Sequence, residues 1–176
     1  MKKLISAAPE NSLTKNVLVI GNARKGHHYW IGYMGDGIDH FAGQTFKIHR
    51  PGILKTISIF PEMIVGETDA LLSVFEFNEA GHEWKEKKTE KHLMLDKSMQ
   101  NQWIRFDIND MMLDDKKQYA FKISCNHGGM MAIAEGPWAE KDPYPDGQEW
   151  IGSSANPAGN FHRNFDLAFA AEIHHS

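Results

Sequence analysis

The sequence predicts an all-β protein: a two-sheet antiparallel β-sandwich with jelly-roll topology. Three observations predict it. Apolar residues alternate with period two in several short runs, no long window sustains the 3.6-residue period of an amphipathic helix, and turn-forming residues separate the runs. Many short strands without helices bury their apolar faces by stacking two sheets. About eight to ten strands are expected, within the usual range for a jelly roll.

In order along the chain, Val17-Leu18-Val19-Ile20 opens the strand pattern, and Thr45-Phe46-Lys47-Ile48-His49 repeats it briefly. Ile53 to Phe60 and Leu71 to Phe77 are apolar on both faces for part of their length, as central strands are. Trp103 to Ile108 points its even-numbered residues inward, and Tyr119 to Cys125 its odd-numbered ones. Phe165 to Ile173 places Phe165, Leu167, Phe169, Ala171 and Ile173 on one face and Asp166 and Glu172 on the other. Arg50-Pro51-Gly52 breaks two strands apart, and Asn78-Glu79-Ala80-Gly81 and Asn126-His127-Gly128-Gly129 read as hairpin loops. The polar stretch from His82 to His92 reads as a solvated hairpin. Residues 21–43, rich in Gly, His and aromatics, and 135–164, rich in Pro and Gly, read as long irregular connections, which are often functional.

Length and composition bound the rest. The 176 residues are expected to form a single sandwich domain over 1–176, with 40–173 as its core and 1–16 as a loosely ordered N-terminal segment. A formal charge of -4 provides no basic field, which argues against nucleic acid as a partner. No apolar stretch approaches the ~20 residues of a membrane helix. The apolar run Leu4 to Ala8 is too short for a secretory signal, so the chain reads as cytoplasmic, or as extracellular if it is a processed fragment. The lone Cys125 excludes an intrachain disulfide and, by its parity with Phe121 and Ile123, is expected on the apolar face as an inert thiol.

Several motifs fail on chemistry. Gly21 to Gly26 imitates a phosphate loop, but His27 and His28 stand where Lys and Ser/Thr are required. His82-Glu83 lacks the second histidine of a metalloprotease helix, and Ser153 and Ser154 do not sit in a nucleophile elbow. Asp142 to Gly147 opens like a calcium loop but carries Tyr144 and two prolines at the wrong places. No cofactor is expected; a looser calcium site on Asp142, Asp146 or Glu149 stays open.

The most informative feature is the aromatic, proline-rich segment. Trp138, Tyr144 and Trp150 are interleaved with Asp142, Asp146, Gln148 and Glu149. Flat rings beside oriented carboxylate and amide groups suit a sugar's apolar C–H face and hydroxyl rim. The ligand-binding candidates are therefore Trp138, Tyr144 and Trp150 as stacking surfaces, with Asp146 and Gln148 as hydrogen-bonding groups. No catalytic or metal-ligating residue is assigned. The bland alternative is that these rings pin a loop to the sandwich, as satellite clusters do. Tyr29, Trp30 and Tyr33 form a second aromatic cluster.

A family likeness follows from the strand pattern. Gln44-Thr45-Phe46, Ile53 to Phe60, Leu72 to Phe77, Trp103-Ile104-Arg105-Phe106, Leu113 with Tyr119-Ala120-Phe121, and Asp166-Leu167-Ala168-Phe169 together resemble bacterial carbohydrate-binding-module-like jelly rolls over residues 40–173. The chain departs from them at Asp114 to Gln118, where such modules turn at a glycine. The resemblance implies a galactose-binding-like sandwich, often non-catalytic and often joined to an enzyme.

The leading expectation is therefore non-catalytic binding of a carbohydrate or similar polar small ligand. Two alternatives are a glycan-active hydrolase or lyase using acids among Glu135, Glu140, Asp142, Asp146 and Glu149, and a structural or assembly module without a small ligand.

Overall fold

A computed structural model describes residues 13–14, 16–126, 128–136 and 141–176. Two antiparallel sheets pack face to face, as the alternation predicts. The smaller sheet runs in the order β1 (Leu13–Thr14), β2 (Val17–Asn22), β14 (Phe169–His174), β5 (Gly52–Ile59), β9 (Ile104–Leu113). The larger runs β6 (Pro61–Val65), β11 (Met130–Glu135), β3 (His27–Tyr33), β4 (Asp39–Lys47), β10 (Gln118–Asn126), β7 (Thr68–Asn78), β8 (Glu83–Leu95). Off that path β12 (Glu149–Ser153) pairs with β4, and β13 (Asn160–His162) pairs with β12. A 3-10 turn, Lys97–Met99, is capped by Asp96, whose side chain accepts from the Ser98 N–H.

The core lies where the inward parities meet. Phe46 of β4 stacks on Tyr119 of β10 at 5.9 Å, and Phe121 meets Phe169 across the two sheets at 5.6 Å. Leu54, Ile57, Ile59, Leu72, Val74 and Ile123 fill the space between, all fully buried. Cys125 is buried as its parity predicts, and burial pushes its thiol up to about 12.

Four sequence expectations need correction. First, residues 21–43 are largely strand. Glycine here marks close approach of backbones: a Cβ on Gly21 would stand 2.1 Å from the Phe169 carbonyl oxygen, and one on Gly32 2.1 Å from that of Gly129. Second, the polar stretch after His82 is the outer arm of the β7–β8 hairpin, a regular edge strand whose lysines and glutamates guard the open edge. Third, the turn after Asn126 joins no hairpin, because β10 pairs with β4 and β7 while β11 pairs with β3 and β6. Fourth, β14 begins only at Phe169; Asp166, in its irregular lead-in, turns inward and is fully buried. Arg50-Pro51-Gly52, by contrast, carries the chain from one sheet to the other as a break should.

Candidate functional site

The aromatic, proline-rich segment divides between the two sides of the large sheet. Glu149 opposes Gln44 and Trp150 opposes Gly43, so alternation sends Glu149 inward and Trp150 outward. Tyr144 is buried, its ring edge-on to Phe169 at 5.2 Å, and its N–H is shared between Asp142 Oδ1 at 2.9 Å and Asp166 Oδ2 at 3.1 Å. Gln148 is also buried; its N–H donates to Thr45 Oγ1 at 2.9 Å and its carbonyl accepts from the Thr45 N–H at 3.0 Å. Asp146 is half-exposed and pairs with His49 Nε2 at 2.9 Å. Trp150 is 2% exposed, and its Nε1 donates to the Ala158 carbonyl at 2.9 Å. Trp138 and Glu140 lie outside the described residues. The structure thus brings Tyr144 and Gln148 together against β4, leaves Asp146 at the surface, and puts Trp150 on the other side. The expected stacking surfaces Tyr144 and Trp150 are two enclosed rings, and Gln148 turns its backbone into the strand ladder.

Inward of the segment lies a layer of carboxyl groups. Asp166 Oδ1 accepts from Gln44 Nε2 at 2.6 Å, and Gln44 Oε1 accepts from the Leu167 N–H at 3.0 Å. Asn22 Nδ2 closes the same corner by donating to the Asp166 carbonyl at 3.1 Å. Glu149 is fully buried and neither of its oxygens has a hydrogen-bond partner. Glu135 stands beside Glu149, and Asp142 beside Asp166. Burial, with Glu135 and then Asp166 adding repulsion, holds the Glu149 carboxyl well above the usual carboxylate range. Burial and the neighbouring Asp142 push Asp166 up to about 8, against the donation from Gln44. Tyr29 is raised by burial and by Glu149 and Glu135. Burial therefore favours the neutral form of Glu149 and Asp166, and of these two Asp166 is the one tied into the hydrogen-bond network.

Among the described residues no three His, Cys, Asp or Glu side chains are placed to hold one metal ion. Of the looser calcium set, Glu149 faces the interior while Asp146 is at the surface with His49. Glu149 and Asp166, both at 0% exposure, are also closed to a glycan that would need them as acid and base.

The outward side gathers Trp150 with rings that the sequence reading did not single out. One cross-strand row runs Ser73, Lys122, Gly43, Trp150, Phe161 over β7, β10, β4, β12 and β13. Trp84, opposite Phe77, meets Trp150 edge-on at 5.0 Å, Phe75 at 5.2 Å and Phe77 at 5.7 Å. Phe161 lies 5.4 Å from Phe77 and stacks with His82 at 4.6 Å. Lys122 Nζ sits 4.0 Å from the Phe41 ring centroid, its pKa lowered by burial. Gly43 makes the row possible: a Cβ there would press on the Phe121 carbonyl at 2.6 Å and on both tryptophan rings. Trp150 and Phe77 are the floor, whereas Phe41, Phe75, Trp84 and Phe161 are half-buried and His82 is exposed. The signal that marks this face was present in Leu71 to Phe77, apolar on both sides where an outer sandwich face is ordinarily polar.

No protein-family model matches the chain, and no curated protein matches it in sequence. Its fold does have solved counterparts. It aligns with the clostridial cysteine protease Cwp84 after propeptide cleavage, at a TM-score of 0.60 and 8% identity, over 93% of this chain and 41% of that one. It aligns also with the cysteine protease and lectin-like domains of Cwp84, a surface layer associated protein of Clostridium difficile, at a TM-score of 0.53 and 8% identity, over 85% of this chain and 36% of that one. The chain thus spans well under half the length of these neighbours, and what they share with it is an all-β sandwich fold.

Proposed function

We propose that the chain is a non-catalytic binding module that takes a carbohydrate or a similarly hydroxylated polar ligand on the aromatic outer face of its large sheet. The observation that carries the reading is the half-open group Trp84, Phe75, Phe161 and Phe41 set on the enclosed floor of Trp150 and Phe77. Sheet-borne rings held edge-to-face by their neighbours are rigid, so they offer apolar surface to a sugar's C–H face at little ordering cost. His82 and Lys122 supply polar groups beside them. Within this reading Tyr144 and Gln148 anchor the segment that delivers β12, and Trp138 and Asp146 are its remaining candidates for ligand contact. The galactose-binding-like resemblance and the lectin-like domain of the Cwp84 neighbour support the same ligand class. The enclosure of the acids Glu149 and Asp166 favours binding over hydrolysis.

A thermal-shift screen against mono-, oligo- and polysaccharides tests the proposal. A ligand at about 100 times its Kd stabilises the native state by about 2.7 kcal/mol. The expected result is a specific shift lost in Trp84→Ala and Phe161→Ala. A saccharide shift that survives both substitutions overturns this face as the site. A second reading, a structural or assembly module, draws on the enclosure of Trp150 and Tyr144; it expects no saccharide shift at all.

A further inference from the structure

The outer face of the small sheet, on the opposite side of the sandwich, has a layout of its own. Register places Gly21, Ala170, Ser58 and Arg105 in one row across β2, β14, β5 and β9, and Val19, Glu172, Thr56 and Asp107 in the next. Small side chains on the middle strands between longer ones make a trough. Along β9 the wall continues outward through Trp103, Arg105 and Asp107, alternate residues of one strand face. Beside Trp103 the trough deepens into a recess of about 40 Å³, floored by Ala170, Ser58 and Thr56. Trp103 is held rigid there, edge-on to Phe60 at 5.5 Å and packed with Ala134 and Ala168, with Lys25 Nζ 3.9 Å from the Phe60 centroid.

The polar groups of this trough are poorly satisfied. Trp103 is 3% exposed and its Nε1 has no acceptor. Ser58 and Thr56 are 6% and 4% exposed, and the chain offers neither hydroxyl a partner among the described residues. Arg105 gives its Nε to Asp107 Oδ1 at 3.1 Å and keeps its two terminal nitrogens available. Glu172 is held by His174 at 2.7 Å and presents its second oxygen. Of these groups the buried Trp103 N–H carries the cost of a donor left without an acceptor, and the others are free to pair with what enters the trough.

We propose that this trough is a second binding site, for one neutral hydroxylated ring of a saccharide. Ring hydroxyls both donate and accept, which matches an arginine, two carboxylates and two hydroxyl groups set in a line. The recess takes one hydroxyl or hydroxymethyl substituent, whose oxygen accepts from the otherwise unpartnered Trp103 Nε1. Asp107 is held by Arg105 and Glu172 by His174, and Lys25 Nζ stands 5.9 Å from the Trp103 ring centroid, so the trough selects hydroxyls rather than charge and an anionic ring, which costs more to desolvate, binds no better than a neutral one. The ligand class rests on the functional reading above; the place does not, since no residue is shared with the aromatic face.

The test is a titration of the full chain with matched neutral and uronic-acid oligosaccharides, followed through the indole N–H resonances of its tryptophans. The neutral saccharide is expected to move the Trp103 indole signal, with affinity reduced about tenfold or more in Arg105→Ala and in the trough-filling Ala170→Leu. Trp84→Ala leaves that response in place. Shifts confined to Trp84 and Trp150 overturn the trough while keeping the functional reading. A stronger response to the uronic acid overturns the selection of hydroxyls over charge. No response from any tryptophan overturns both.

Discussion

Glu149→Gln isolates the carboxyl layer with little change of shape. Among the described residues only Glu135 stands close enough to Glu149 to share a hydrogen bond with it, so an amide keeps the shape and polarity of the group while the substitution removes its titration. In the folded chain burial and the adjoining Glu135 and Asp166 raise the Glu149 pKa, and burial with Asp142 raises that of Asp166 to about 8. A raised acid keeps its proton in the folded state at pH values where the unfolded chain has released it. Its contribution is therefore fully present below the ordinary carboxylate pKa and is lost as pH rises toward the folded value. Each such group tilts stability by about 1.4 kcal/mol per pH unit within its window. For Asp166 the window opens near 3.8 and closes near 8, which amounts to a loss on the order of 5 kcal/mol across it. Glu149→Gln removes one of the two tilts. Melting curves from pH 5 to pH 8 should show wild type losing Tm more steeply than the variant. At pH 8 the variant should melt above wild type. Parallel curves, or a variant that melts lower at pH 8, would refute the claim that a buried neutral acid sits at this position.

Three further predictions follow from packing. Trp150→Ala empties an enclosed site and should cost about 3–5 kcal/mol, read as a lower denaturation midpoint at an unchanged slope. Gly43→Ala drives a methyl group against the Phe121 carbonyl at 2.6 Å and both tryptophan rings, and should cost about 1–3 kcal/mol in the same assay. Cys125, buried and with its thiol held near 12, should resist a thiol reagent at pH 8 in the native state and react fully in denaturant.

What was legible in the sequence was whatever a strand writes into it with period two. Trp103 to Ile108, Tyr119 to Cys125 and Phe169 to Ile173 alternate cleanly because one face of each meets the core, and the parity even located Cys125. The two-sheet antiparallel sandwich followed from these. Strand β3 was hidden because Gly32 serves close backbone approach and β12 because Gly152 makes room for the Trp150 indole, and both glycines read the same as a turn. Strand β8 was hidden because an edge strand carries charges along its length. The candidate site was less legible. Trp84 owes its place to register, through Phe77 opposite it and Trp150 two strands beyond Lys122, and register is a relation between distant segments. Asp166 and Glu149 carry no local mark of burial either: the acids are enclosed because Gln44, Asn22 and the Tyr144 N–H converge on their corner from three separate stretches of chain. Tyr144 and Trp150 drew attention as aromatics in a polar segment, and the same rings serve as well to fasten that segment down.

The most direct test of the central claim is calorimetric titration of wild type and Trp84→Ala with the saccharide that gives the largest thermal shift. The account predicts saturable binding by the wild type that is weakened by at least about tenfold in Trp84→Ala, with the variant's fold intact by circular dichroism. Equal affinity in the two proteins, or no saccharide bound by the wild type, would contradict it.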